Sequence, residues 1–210
     1  MSESKKIYFY IAANLAFLIP APGRFAYALI MIVLFNIQMA TITMVFHAIY
    51  HMQLENLRNA VLTLFIIALG VFYKQLLAIV CPIAALTLGF CIFLPTLASV
   101  IIKFFFLNYE KGFKKHLVLN MKNTLFMSIF ALLFFLVRDV FGYGTLTLPA
   151  WKKIVVFHLP YDLSSASASV FLATIPGALV LVSVIMALYI FVMNKIRILM
   201  NSPKTLVEEA

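Results

Sequence analysis

The sequence predicts an all-α integral membrane domain of about six transmembrane segments, on three observations. Hydrophobic residues fill 65% of the 210 positions and charged ones only 11%, whereas soluble domains run at about 45–50% and about 25%. Apolar runs long enough to cross a bilayer, about 20 residues each, recur along the whole chain. The basic residues behind the net charge of +9 lie between those runs, where they orient a protein against anionic lipid and are not a nucleic-acid footprint. Six spans of that length leave short connections only, so residues 1–210 are expected to form one membrane domain. The start, Met1-Ser2-Glu3-Ser4-Lys5-Lys6, lacks a small-residue cleavage site, and the first segment is expected to be retained.

The segments fall at about 7–22, 25–46, 59–75, 76–102, 118–137 and 169–193. The first ends in Pro20-Ala21-Pro22-Gly23-Arg24, a breaker cluster inside an otherwise continuous apolar stretch. A tight turn is expected between the third and fourth, with Lys74 at the interface. The fourth carries Pro82, Gly89 and Pro95, which interrupt a helix and are accepted in a membrane only where neighbouring protein re-satisfies the backbone. The two damaged segments take corresponding places in a three-plus-three division, with repeat one about 7–75 and repeat two about 76–197. This is the pattern of inverted-repeat folds built around a central site. Leu15-Ala16-Phe17-Leu18-Ile19 is weakly similar to Leu88-Gly89-Phe90-Cys91-Ile92, in keeping with that division.

After the fifth segment, Pro149-Ala150-Trp151-Lys152-Lys153-Ile154-Val155-Val156-Phe157 reads as a piece lying in the membrane interface, with Trp151 at headgroup depth. Ser164 to Ser169 reads as a linker. If all six segments cross, the N-terminus and even-numbered connections carry eleven of the 16 Lys and Arg residues and the other face carries five. The positive-inside rule then makes both termini cytoplasmic.

Candidate chemistry is sparse. Cys81 and Cys91 are the only soft ligands. They could contribute thiolates to an iron-sulfur cluster, or act as small hydrophobes. Two thiols are too few for a cluster without another chain, and ten residues of unbroken helix would hold them about 15 Å apart. His47, His51 and Glu55 recur every four residues on one helical face, as a metal or proton site or as a polar boundary. Arg138-Asp139 closes the fifth segment, either as an intramembrane ion pair or as an interfacial pair facing headgroups. There is no Gly-rich phosphate loop, nucleophile elbow or His-Glu metalloprotease motif in the sequence, so a self-contained hydrolase is not expected.

Two stretches carry a family resemblance. Val137-Arg138-Asp139-Val140-Phe141-Gly142-Tyr143-Gly144-Thr145-Leu146 resembles the segment after the fifth helix of the small membrane subunits of Rnf and Nqr redox pumps, which reads V-R-E, two hydrophobic residues, then G-S-G-T-L. Phe171-Leu172-Ala173-Thr174-Ile175-Pro176-Gly177-Ala178 is similar to their last helix, L-L-P-P-G-A. The RnfE/NqrD branch, related to RnfA/NqrE, is the nearest in pattern. The resemblance implies two inverted three-helix repeats with broken first and fourth helices. It also implies an iron-sulfur cluster shared with a paired six-helix subunit, each subunit giving one Cys from its first helix and one from its fourth.

Phe90-Cys91-Ile92-Phe93-Leu94 resembles the fourth-helix N-C-I-I-L-G, which makes Cys91 the implied cofactor and metal ligand, with Cys81 a distant second. Where the family has L-C-P in the first helix, this chain has Leu18-Ile19-Pro20, and an aliphatic Ile19 cannot ligate iron. The expected function is a membrane subunit of a redox-driven ion-translocating complex in a bacterial inner membrane, passing electrons or scaffolding their path and not catalytic alone. The alternative from another class is the substrate-binding membrane subunit of a vitamin or metabolite importer.

Overall fold

The computed structural model describes residues 11–12, 14–52, 57–106, 112–159 and 171–205, the side chains of 103–106 and 196–205 excepted. Residues 14–18 are helical and turn at Ile19-Pro20. There follow α1 (Phe25–His51), α2 (Arg58–Val80), α3 (Pro82–Leu88), a 3-10 turn (Cys91–Phe93), α4 (Leu94–Phe106), α5 (Phe113–Tyr143), β1 (Thr145–Ala150), β2 (Lys153–His158) and α6 (Ile175–Thr205). The chain is mostly helical. Four of these helices, α1, α2, α5 and α6, are long and apolar enough to cross a membrane, and α3 with α4 makes a fifth if the bent pair is one span.

α1 is the central helix, with 56% of its most apolar stretch buried, against 44% in α5, 22% in α6 and 17% in α2. Contacts fix the helix directions. Asn36 Nδ2 donates to Ser128 Oγ (2.9 Å), Asn120 Nδ2 to Thr43 Oγ1 (3.1 Å), and the Phe46 ring meets His116 edge-on, so α1 and α5 run antiparallel. Tyr73 Oη donates to the Ile30 carbonyl (3.0 Å) and the Arg58 guanidinium lies over the Phe46 ring, which sets α2 antiparallel to α1. Phe130 meets Tyr189 edge-on, and Gly142 abuts Ala173, which sets α6 antiparallel to α5.

Without water to drive apolar association, such interhelical polar bonds and close small-residue contacts do the joining inside a bilayer. α4 is held in this way: Gln38 Nε2 donates to Thr96 Oγ1 (2.8 Å) and Ser99 Oγ to Gln38 Oε1 (3.0 Å). A Cβ on Gly70 would come 2.6 Å from Thr96 Oγ1. Gly70→Ala is therefore expected to push Thr96 off Gln38 and cost about 2 kcal/mol, read as a lower midpoint in a reversible detergent unfolding titration.

The fourth segment breaks where its composition says it must. α2 continues to Val80, past the expected turn at Lys74, so Lys74 lies within the helix, its Nζ over the Phe93 ring. Pro82 opens α3 at a position whose N–H would be unbonded anyway. Gly89 ends it with φ 48°, a conformation glycine takes without a Cβ penalty. Pro95 cannot donate to the turn before it, and the stretch Cys91–Ile102 leaves at 84° to α3.

One element departs from the all-helical expectation. Residues 145–158 form an antiparallel hairpin with Thr145 opposite His158 and Ala150 opposite Lys153, where an unspecified interfacial piece was expected. Thr145-Leu146-Thr147-Leu148 alternates, and Ile154 to Phe157 is β-branched and aromatic, both strand signals. Three other spans also differ in length from the expectation. α1 extends to His51, α5 covers 113–143 instead of 118–137, and α6 begins at 175. Ser164 to Ser169, Lys111 and Glu55 lie outside the described residues.

Candidate functional site

Both damaged segments converge on the end of the bundle where α1 begins and α5 finishes. The α5 sequence delivers Arg138 and Asp139 there on its last turns, before Gly144 stops the helix in the left-handed conformation. Neither side chain faces headgroups: Arg138 is 1% and Asp139 0% exposed.

Asp139 performs a cap at long range. α1 has no side-chain cap from Arg24 and no acidic residue in its first turn, so its leading N–H groups need acceptors. Asp139 Oδ2 accepts from the Phe25 N–H (3.1 Å), from the Thr147 N–H (2.7 Å) and from Thr147 Oγ1 (2.7 Å), while Oδ1 accepts from Thr145 Oγ1 (2.9 Å). Thr147 Oγ1 in turn accepts from the Ala26 N–H (3.1 Å). A carboxylate from α5 and a hydroxyl from β1 thus satisfy two successive N–H groups of α1, at the positive end of its dipole.

Arg138 binds the loops on either side. Its Nη1 donates to the Ala21 carbonyl and its Nη2 to the Ala173 carbonyl, both at 3.1 Å. The guanidinium also lies 5.4 Å from the Phe134 ring centroid and 5.8 Å from that of Phe135. Its Nε is buried without a hydrogen-bond partner, and a Cβ on Gly23 would sit 2.9 Å from it. The first break, the end of α5, the hairpin and the approach to α6 are therefore tied to two adjacent side chains.

The second break abuts the first. The Cys91 thiol lies 3.8 Å from the Pro20 carbonyl oxygen. A cavity of about 10 Å³, room for about one water, lies between the two segments, with Asn14 and Leu18 on one side and Pro95 and Ala98 on the other. Cys81 is buried at the α2–α3 junction, apart from this contact, with its N–H bonded to the Leu77 carbonyl. His47 and His51 are 5.3 Å apart between ring centroids, but His47 packs on Phe113. Among the described residues, no group of three or more His, Cys, Asp or Glu side chains could hold a metal ion.

The seam's donor set does not fit an even share of an iron-sulfur cluster. One thiol, Cys91, stands there beside Pro20, and Ile19 offers no donor atom where a second ligand is implied. No family model, curated protein or solved structure matches the chain.

Proposed function

We propose that this chain is a membrane subunit of a redox-driven ion-translocating complex of the Rnf/Nqr kind, and that it scaffolds the electron path. One observation carries the reading: the broken segments of the two halves of the chain meet, with Cys91 against Pro20. Meeting breaks are what two inverted repeats around a central site require. The Arg138-Asp139 clamp, in the stretch that resembles those subunits, supports it further by holding the first break in place. The six-segment, two-repeat arrangement belongs to this proposal, as does a paired six-helix subunit packed at the seam.

With one thiol at the seam and an aliphatic side chain beside it, no electron-transfer step is routed through this chain. Its own residues do mechanical work: Arg138 and Asp139 fix the backbone of the first break, and Gln38, Thr96 and Ser99 fix the second. Arg58, Lys114 and Lys115 fall at the end where α1 finishes. With that end cytoplasmic in a bacterial inner membrane, the charge bias follows the positive-inside rule.

Affinity purification from native membranes in mild detergent, with mass spectrometry of stoichiometric partners, tests the reading. The expected result is a second six-helix subunit together with flavin and iron-sulfur subunits. Copurification of an ATP-hydrolysing pair would overturn it in favour of an importer. In the assembled pump, Cys91→Ala is expected to leave iron content and electron transfer within twofold of wild type. A larger loss of iron would restore Cys91 as a ligand.

A further inference from the structure

The hairpin closes the same end of the bundle as the clamp, and its two faces differ. Thr145 and Thr147 point inward to Asp139, and Ile154 packs against the core. The opposite face carries the cross-strand pairs Leu146 with Phe157 and Leu148 with Val155, with Phe157 and Leu148 exposed. At the tip, Trp151 is 71% exposed, and Lys152 and Lys153 are exposed beside it. No Asp or Glu occurs from Thr145 to Leu159 to neutralise the pair.

One backbone bond ties the tip to the end of α2. The Lys152 N–H donates to the Val80 carbonyl (3.1 Å), the last residue of α2. The 23 residues of α2 span about 34 Å, slightly more than the hydrocarbon thickness of about 30 Å. With α2 set across a bilayer, Val80 and the tip bonded to it fall at the boundary between acyl chains and headgroups. The surface that leads away from this point is apolar: Ile79 on α2 and Ile83 and Leu86 on α3 are exposed. A largely exposed indole between that flank and two lysines has the composition of an interfacial anchor.

We propose that the hairpin tip and α3 form an interfacial platform selective for anionic phospholipid headgroups, with Trp151 at the acyl boundary and Lys152 and Lys153 on the phosphodiesters. The left-handed conformation of Lys152, φ 62°, holds the two amines on a fixed turn. The inference requires a membrane but is independent of the redox reading.

Trp151 is the sole tryptophan, so its emission reports this site alone. The full chain is reconstituted in vesicles of phosphatidylcholine, which add no protein, carrying a rising fraction of either brominated phosphatidylglycerol or brominated phosphatidylcholine. The expected result is quenching by both, with the anionic lipid effective at a lower mole fraction, by about fivefold for each lysine. Lys152→Gln with Lys153→Gln should bring the two lipids to parity while both still quench. Raising salt on the wild type should do the same without a variant. Equal quenching by both lipids in the wild type, or a preference indifferent to salt, would overturn headgroup selectivity. Quenching by aqueous acrylamide but by neither lipid would overturn the platform itself and make the hairpin face a surface for a soluble protein.

Discussion

Asp139→Ala is expected to lower the unfolding free energy by about 3–5 kcal/mol, from two buried N–H groups left without an acceptor at about 1–3 kcal/mol each and the lost helix cap. The side chain is wholly buried and accepts four hydrogen bonds. Its removal strands the Phe25 and Thr147 N–H groups, neither of which can rotate to find another acceptor, and uncaps the central helix of the bundle. Asp139→Asn should cost less, about 1–2 kcal/mol. Its amide oxygen can stay toward Phe25 and Thr147 while its NH₂ meets the Thr145 hydroxyl, which turns to accept. What is lost is the charge assistance and the favourable interaction with the α1 dipole. Reversible unfolding in mixed micelles with a graded anionic detergent gives both values. An Asp139→Ala cost below 1 kcal/mol would mean that α1 does not depend on the cap.

Gly177→Ala is expected to cost about 3 kcal/mol, at the upper end for one added methyl group, because the atoms it would meet are main chain. A Cβ there would overlap the Phe171 carbonyl oxygen and approach Leu172 Cα at 2.8 Å, where the chain folds tightly over the first turn of α6. Thr174 organises that turn, donating to the Phe171 carbonyl and accepting from the Gly177 N–H. The only relief is a shift of 171–173, which carries the Ala173 carbonyl bonded to Arg138. The cost should therefore be less than additive with Arg138→Leu, since the first change already disturbs what the second removes. Gly142→Ala, whose Cβ would lie 3.1 Å from the Ala173 nitrogen, should show the same coupling at about 1 kcal/mol. Strict additivity of Gly177→Ala with Arg138→Leu would separate the α6 turn from the clamp.

The helical interruptions were legible residue by residue, since Pro20, Pro22, Pro82 and Gly89 act on their own backbone and need no partner to do it. The hairpin was legible in principle. Thr145 to Leu148 alternates and Ile154 to Val156 is β-branched, but a short apolar stretch after a membrane span has the same letters as an interfacial helix, and periodicity over four residues separates the two poorly. The clamp was half legible. Arg138 and Asp139 stood out as charges at the end of an apolar run, yet their partners lie 35 and 117 positions away for Arg138 and 114 for the Phe25 N–H. Gly23 gave no sign at all of lying against Arg138, because a glycine in a Pro-Gly turn is explained locally.

By itself, the sequence determined that the chain is mostly helical, that several of its helices are long and apolar enough to cross a membrane, and where the fourth segment breaks, because hydropathy and proline act through the solvent and the local backbone alone. Only the tertiary structure decided that the two breaks meet, that Asp139 caps a helix beginning 114 residues earlier, and that the Trp151 tip is tied to the end of α2. Those are pairings between distant groups, and inside a bilayer, where every segment is apolar, the choice of partner rests on a few polar atoms and close contacts that no single segment's composition records.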